Sequence, residues 1–208
     1  MKIIIIQKAA PDRKRNTQYD SAAFDNAARE ALDCSITPID AKKTDASAYR
    51  IYTGTDTASA QTAAALFDLP ETPEQTPLLD DIPVRSFCDT GKTHSYRFWQ
   101  DMGKIQWYLG NDRQTETRTG TLKRVQALLE QLEEEEKDCV LITGGLTRSA
   151  LLQMLSRRGY LIEGERREKS LARVRATKKN MHCGGCMHNC LLSDPGCDIG
   201  KDKARRER

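Results

Sequence analysis

"CVLITGGLTRSALLQML", Cys139 to Leu155, holds a short apolar run, a Gly-Gly pair and then apolar residues at helical spacing. The run from Cys139 to Ile142 is rich in β-branched and aliphatic residues and suits a strand buried on both faces. Leu151, Leu152 and Leu155 then mark one side of a helix, so Gly144 and Gly145 turn a strand directly into a helix. Such a turn aims backbone N–H groups into the crevice beyond the strand ends, where an anion is favoured.

Working outward, "KIIIIQ" (Lys2 to Gln7) is a second doubly buried strand and belongs near the centre of a parallel sheet. "SAAFDNAAREAL" follows as a helix with Phe24, Ala27, Ala28, Ala31 and Leu32 on one face. "YRIYTGT" reads as a strand and turn, and "ASAQTAAALF" as the next helix. Between Leu69 and Arg118 the pattern is irregular. Pro70, Pro73, Pro77 and Pro83 break its first half, and "YRFWQDMGKIQWYLG" brings both tryptophans together as core or lid packing. "TLKRVQALLEQLEEEE" is an amphipathic helix carrying Leu122, Val125, Leu128, Leu129 and Leu132, and its glutamate run reads as a solvated face. "SLARVRATK" alternates as a last strand. Strands alternating with helices imply an α/β fold, a doubly wound and mostly parallel sheet flanked by helices over residues 1–177, with a basic, Cys-rich tail over 178–208.

The balance of 33 basic against 30 acidic residues, net +3, argues against a nucleic-acid partner and requires no membrane. The basic excess gathers in "RREKSLARVRATKK" and "KDKARRER", which reads first as a solvated basic face, with an anionic protein partner for the tail as the alternative. Without an apolar run near the ~20 residues of a membrane span, the chain is expected to be cytoplasmic. There, clustered cysteines are metal ligands before they are disulfides. Cys183, Cys186, Cys190 and Cys197 form C-x2-C-x3-C-x6-C, a set of four thiolates that suits a [4Fe-4S] cluster or Zn2+. The three close cysteines and the fourth beside Pro195-Gly196 tilt the choice slightly toward iron-sulfur, and both metals stay open. His182 and His188 are spare donors. Cys34, Cys88 and Cys139 are isolated and expected to pack as small apolar side chains; "FCDTGKTH" around Cys88 lacks the arginine that closes a cysteine-phosphatase loop.

Three stretches together resemble the histidine phosphatase superfamily, also called phosphoglycerate mutase-like: "IIIIQKA", "TGTDTASAQTA" and "VLITGGLTRSALL" match family motifs of the type IIIVRHG, SPLKRAxQTA and VLVVSHGGxxRALL. The resemblance covers about residues 1–177 and is strongest in "QTA" and "TGGLTRSALL". It implies that a phosphate-binding arginine falls on Gln7, the nucleophilic histidine on Lys8, a second arginine on Ala58 and a second histidine on Thr143. The proton-donating carboxylate falls on Asp80 or Asp81. Thus the chain looks like this fold with its central catalytic side chains replaced. Phosphoryl transfer needs a positioned nucleophile and cations on the equatorial oxygens, and Gln7, Ala58 and Thr143 provide neither. A lysine amine, ordinarily protonated at neutral pH, is a poor replacement nucleophile. Lys8, Arg148 and the amides after Gly144 and Gly145 would still suit a small phosphorylated or anionic ligand. The expectation is therefore a non-catalytic binding or regulatory protein. An active phosphatase or mutase using rearranged residues, and a small iron-sulfur redox protein, are the alternatives.

Overall fold

Four consecutive isoleucines place the centre of the protein. In the computed structural model, which describes residues 1–14, 16–69, 72–168 (of 165–168 the backbone only) and 171–178, β1 (Lys2–Gln7) buries Ile3, Ile4, Ile5 and Ile6 almost completely. Because successive strand side chains point to opposite faces, these four residues enter two cores. Ile3 and Ile5 meet Val125, Leu128, Leu129, Leu151 and Leu155, whereas Ile4 and Ile6 meet Ile51, Ala63, Phe67, Val140 and Ile142.

The remaining elements, in chain order, are α1 (Ser21–Asp33), β2 (Thr44–Asp45), β3 (Arg50–Thr53), α2 (Thr57–Leu66), β4 (Phe67–Asp68), β5 (Glu74–Gln75), a 3-10 turn (Pro77–Leu79), α3 (Tyr96–Leu109), α4 (Arg118–Glu135), β6 (Cys139–Thr143), α5 (Gly145–Arg157), β7 (Tyr160–Glu168) and β8 (Leu171–Lys178). The main sheet has the order β5-β3-β6-β1-β8-β7. β5, β3, β6 and β1 run parallel, with Ile3 opposite Cys139 and Gln7 opposite Thr143. β8 joins the other side of β1 antiparallel and carries β7 as the edge. The α/β expectation and the central place of β1 are both met. β7 is a strand that the sequence reading left out: its "YLIEGERRE" is charged and lacks an apolar face, as befits an edge that faces water.

α1 buries Phe24, Ala27 and Ala28, while Ala31 and Leu32 remain partly exposed. On α3, Trp99 and Trp107 are core residues; Trp99 Nε1 donates to the Tyr19 carbonyl at 2.8 Å and Trp107 Nε1 to Thr121 Oγ1 at 3.2 Å. Gly103 lets α3 lie directly on the chain below it, since a β-carbon there would come within 2.2 Å of Val84 Cγ1. The glutamates closing α4 are more than a solvated face. Glu133 accepts from Arg158 and Tyr160, Glu130 from Arg158, and Glu135 from Arg50 and Tyr52, so they fasten α4 to β7 and β3. Cys139 is buried in β6, and burial pushes its thiol up to about 12, consistent with an inert packing role. The described part forms one unit, Met1–Lys178. Cys183, Cys186, Cys190 and Cys197 lie outside the described residues.

Candidate functional site

The crevice lies where β1, β3 and β6 end. Pairing of Gln7 with Thr143 continues one step further, for the Lys8 amide donates to the Thr143 carbonyl at 2.9 Å. This brings the positions of the first and third motifs together by backbone register alone. Ala58 joins them through α2: Thr62 Oγ1 donates to the Ala58 carbonyl at 2.6 Å and accepts from the Ala9 amide at 3.0 Å. Ala58 is 2% exposed and presents only a methyl group.

Lys8 is held by a residue that sequence reasoning passed over. Its Nζ lies 3.1 Å from Asp56 Oδ1, with side-chain exposures of 13% and 10%. Asp56 is the N-cap of α2, accepting from the Ser59 amide at 3.0 Å and from Ser59 Oγ at 2.8 Å. The signal was present as an aspartate three residues ahead of Ser59 at the head of a helix. A largely desolvated amine with such a partner is fixed in place rather than aimed at an electrophile.

Thr143 is fully buried, and its hydroxyl donates to the Leu79 carbonyl at 2.6 Å. It faces the segment that carries the two candidate acids. Arg124 clamps that segment, donating to the carbonyls of Pro77, Leu78 and Asp80 at 3.2, 2.8 and 3.0 Å while pairing with Glu116 at 2.8 Å. Thr147 Oγ1 adds a bond to the Asp80 carbonyl at 2.8 Å. The two aspartates diverge. Asp80 points back to accept from the Thr55 amide and hydroxyl, whereas Asp81 enters the crevice.

Asp81 sits against Gly144 at the start of α5, where a β-carbon would come within 1.8 Å of its Oδ2. Glycine is required there by close approach, which explains one half of the Gly-Gly pair. Nothing lies within 4 Å of a β-carbon at Gly145. Burial is the main influence on the Asp81 carboxyl and holds it above the ordinary carboxylate range; the Lys8 cation and the amides of Ile82 and Leu146 act in the opposite direction, and Asp56 reinforces the rise. Asp81 Oδ1 is shut off from solvent and makes no hydrogen bond among the described residues. The helix end expected to receive an external anion thus already faces an internal carboxyl group. A cavity of about 150 Å³ adjoins it, lined by Lys8, Phe24, Asp81, Tyr96, Lys104 and Leu146 among others. Arg148 is half-buried in the first turn of α5, and its amide donates to the Gly144 carbonyl at 2.9 Å.

The other candidates lie elsewhere. His94 exchanges backbone hydrogen bonds with Tyr19, and its ring lies 4.4 Å from Phe98 and 5.5 Å from Trp99, in the aromatic cluster. Cys88 is half-buried. Among the described residues, no group of three or more His, Cys, Asp or Glu side chains is arranged to hold a metal ion, and no helix is long and apolar enough to cross a membrane.

Fold and site together define a mixed α/β protein whose crevice closes over the ends of its parallel strands, with a lysine, two aspartates and a glycine turn at its base. Among solved structures, the chain is similar to a phosphoserine phosphatase mutant from Entamoeba histolytica in complex with phosphoserine, at 14% identity and a TM-score of 0.45, covering 75% of this chain and 80% of that one. It is also similar to mycobacterial glucosyl-3-phosphoglycerate phosphatase, both native (14% identity, TM-score 0.45, 75% and 79% coverage) and complexed with VO3 (11% identity, TM-score 0.46, 75% and 82% coverage). No protein-family model matches the chain, and no curated protein matches it.

Proposed function

We propose that the α/β part is a phosphatase-like binding or regulatory module without phosphoryl-transfer chemistry, and that it takes a small anion only in competition with its own Asp81. The carrying observation is Asp81 against Gly144, because a phosphate approaching the α5 amides must displace or outlast that carboxyl group. Support comes from Lys8, whose amine is paired with Asp56, and from Thr143, whose hydroxyl bonds Leu79. Neither is disposed to attack phosphorus or to neutralise its oxygens. Titration of the full chain with orthophosphate tests this reading. Asp81→Asn is expected to bind phosphate about tenfold more tightly than the parent, since it removes a competing charge and keeps the shape. Equal affinities would refute the competition.

The four cysteines at 183, 186, 190 and 197 belong to the same proposal as a metal site in a regulatory tail. Their donor chemistry fits either a [4Fe-4S] cluster or Zn2+, because each takes four thiolates. Zinc closed by four cysteines would order the tail and leave no open position for chemistry; a cluster would add sensitivity to oxidation. Metal and sulfide analysis with a visible spectrum of anaerobically purified full chain separates them. Bound iron with stoichiometric sulfide favours the cluster, one colourless zinc favours the staple, and absence of metal defeats both.

A further inference from the structure

A second cavity, lined in part by Ile6 of β1, shares no lining residue with the one beside Lys8. Its volume is about 190 Å³. Ile6 of β1 and Arg173 of β8 are register partners and therefore lie on one face of the sheet, with Leu171 two residues along on that face. The end of α2 closes it with Leu66 and Phe67, and the chain leading into β2 crosses it with Ile39, Ala41, Lys42 and Thr44. The inner wall is dry: Ile6, Phe67 and Leu171 are 4%, 6% and 7% exposed.

Two cations stand among these apolar residues without an acid in the lining. Among the described residues, neither Lys42 nor Arg173 has an ion pair or a side-chain hydrogen bond, whereas Arg13, Arg50, Arg85, Arg113, Arg124, Arg158 and Arg175 all have carboxylate partners. Among the described residues, this half-buried guanidinium beside the central strand meets none of the groups that its planar fork is built to bind. A carboxylate supplies them with two parallel hydrogen bonds, and an apolar tail fills the wall beyond. Size limits the tail. Cavities of about 150 Å³ accept benzene, and drug-sized ligands need about 300 Å³ or more, so the fit is to a six- to eight-carbon chain or a single ring.

We infer that this cavity binds a small amphipathic monoanion, an aliphatic or aryl carboxylate, with its head on Arg173 and Lys42 and its tail against Ile6, Phe67 and Leu171. The inference stands apart from the crevice reading, since it uses none of the crevice residues.

The test is titration of the isotopically labelled full chain with hexanoate, hexanol and orthophosphate, followed by NMR. Hexanoate is expected to shift resonances of residues 39–44, 66–67 and 171–173, with hexanol about tenfold weaker because it forgoes the charge-assisted bonds. Orthophosphate, without a tail, is expected to leave these resonances in place. Arg173→Gln should bring hexanoate down to the level of hexanol; Ala41→Phe, which fills the mouth, should weaken both. Lys42→Gln, at an exposed position, serves as a second variant if either of these fails to fold, with hexanoate weakened and hexanol unchanged. The inference is overturned by hexanoate binding no tighter than hexanol, by shifts centred on Lys8 instead, by no hexanoate binding at millimolar concentration, or by charge variants that bind hexanoate as the parent does.

Discussion

Asp81 fills the space that a side chain at position 144 would take: a β-carbon on Gly144 would come within 1.8 Å of Asp81 Oδ2 and 1.9 Å of its Cγ. One glycine and one carboxyl group thereby meet at the head of α5, so the helix end that suits an external anion faces an internal one. The first prediction tests this contact. Gly144→Ala should cost about 2–3 kcal/mol in urea unfolding, the range for forced overpacking. Gly145→Ala, with nothing within 4 Å of its β-carbon, should change stability by less than about 1 kcal/mol. Similar losses at the two positions would deny the contact.

The pH dependence follows from the same carboxyl group. Burial places the folded-state value of Asp81 above its ordinary 3.8, so between the two values the folded protein holds more protons than the unfolded one. The Asp81 contribution to stability is therefore complete below the unfolded value and is lost as pH rises through the raised folded value. Asp81→Asn should flatten that part of the stability profile and be the more stable protein above it. Unfolding measured across pH on both proteins decides the matter; a steeper profile in the variant would reverse the sign.

Lys8 and Asp56 form a largely buried pair at 3.1 Å. Lys8→Met should cost about 2–3 kcal/mol by leaving Asp56 and Asp81 facing each other without their cation. Asn keeps the capping capacity of residue 56, so the double variant Lys8→Met/Asp56→Asn should recover part of the loss. Additive losses in a double-mutant cycle would show that the pair is not coupled.

Arg124 connects α4 to three carbonyls of the segment that delivers Asp81. Arg124→Ala should cost about 2–4 kcal/mol and should also raise amide exchange over residues 77–82, because the segment loses its clamp. Faster exchange confined to α4 would assign Arg124 a purely helical role.

Much of this organisation was readable from residues alone, and for a physical reason in each case. β1 and β6 lie inside a parallel sheet, so both faces are apolar and "KIIIIQ" and "CVLIT" stand out as continuous runs. β7 lies at the edge, where charge is favoured, and its sequence resembles a loop. The two-residue strands β2, β4 and β5 are too short to carry any period. In the crevice, strand register brings Lys8 to Thr143, two positions that the resemblance to known motifs had singled out. Asp56 and Arg124 escaped notice because their roles depend on partners 48 and 44 to 47 residues away. The inward turn of Asp81 against Gly144 escaped it too, because only packing shows which of two adjacent aspartates turns inward.

The central proposal is that the crevice binds an anion without phosphoryl-transfer chemistry. It is tested most directly by the turnover of an aryl phosphate, with the purified full chain assayed beside Lys8→Met and Asp81→Asn. The account predicts that all three proteins release phenolate at the same background rate. Turnover by the parent that disappears in either variant would contradict it.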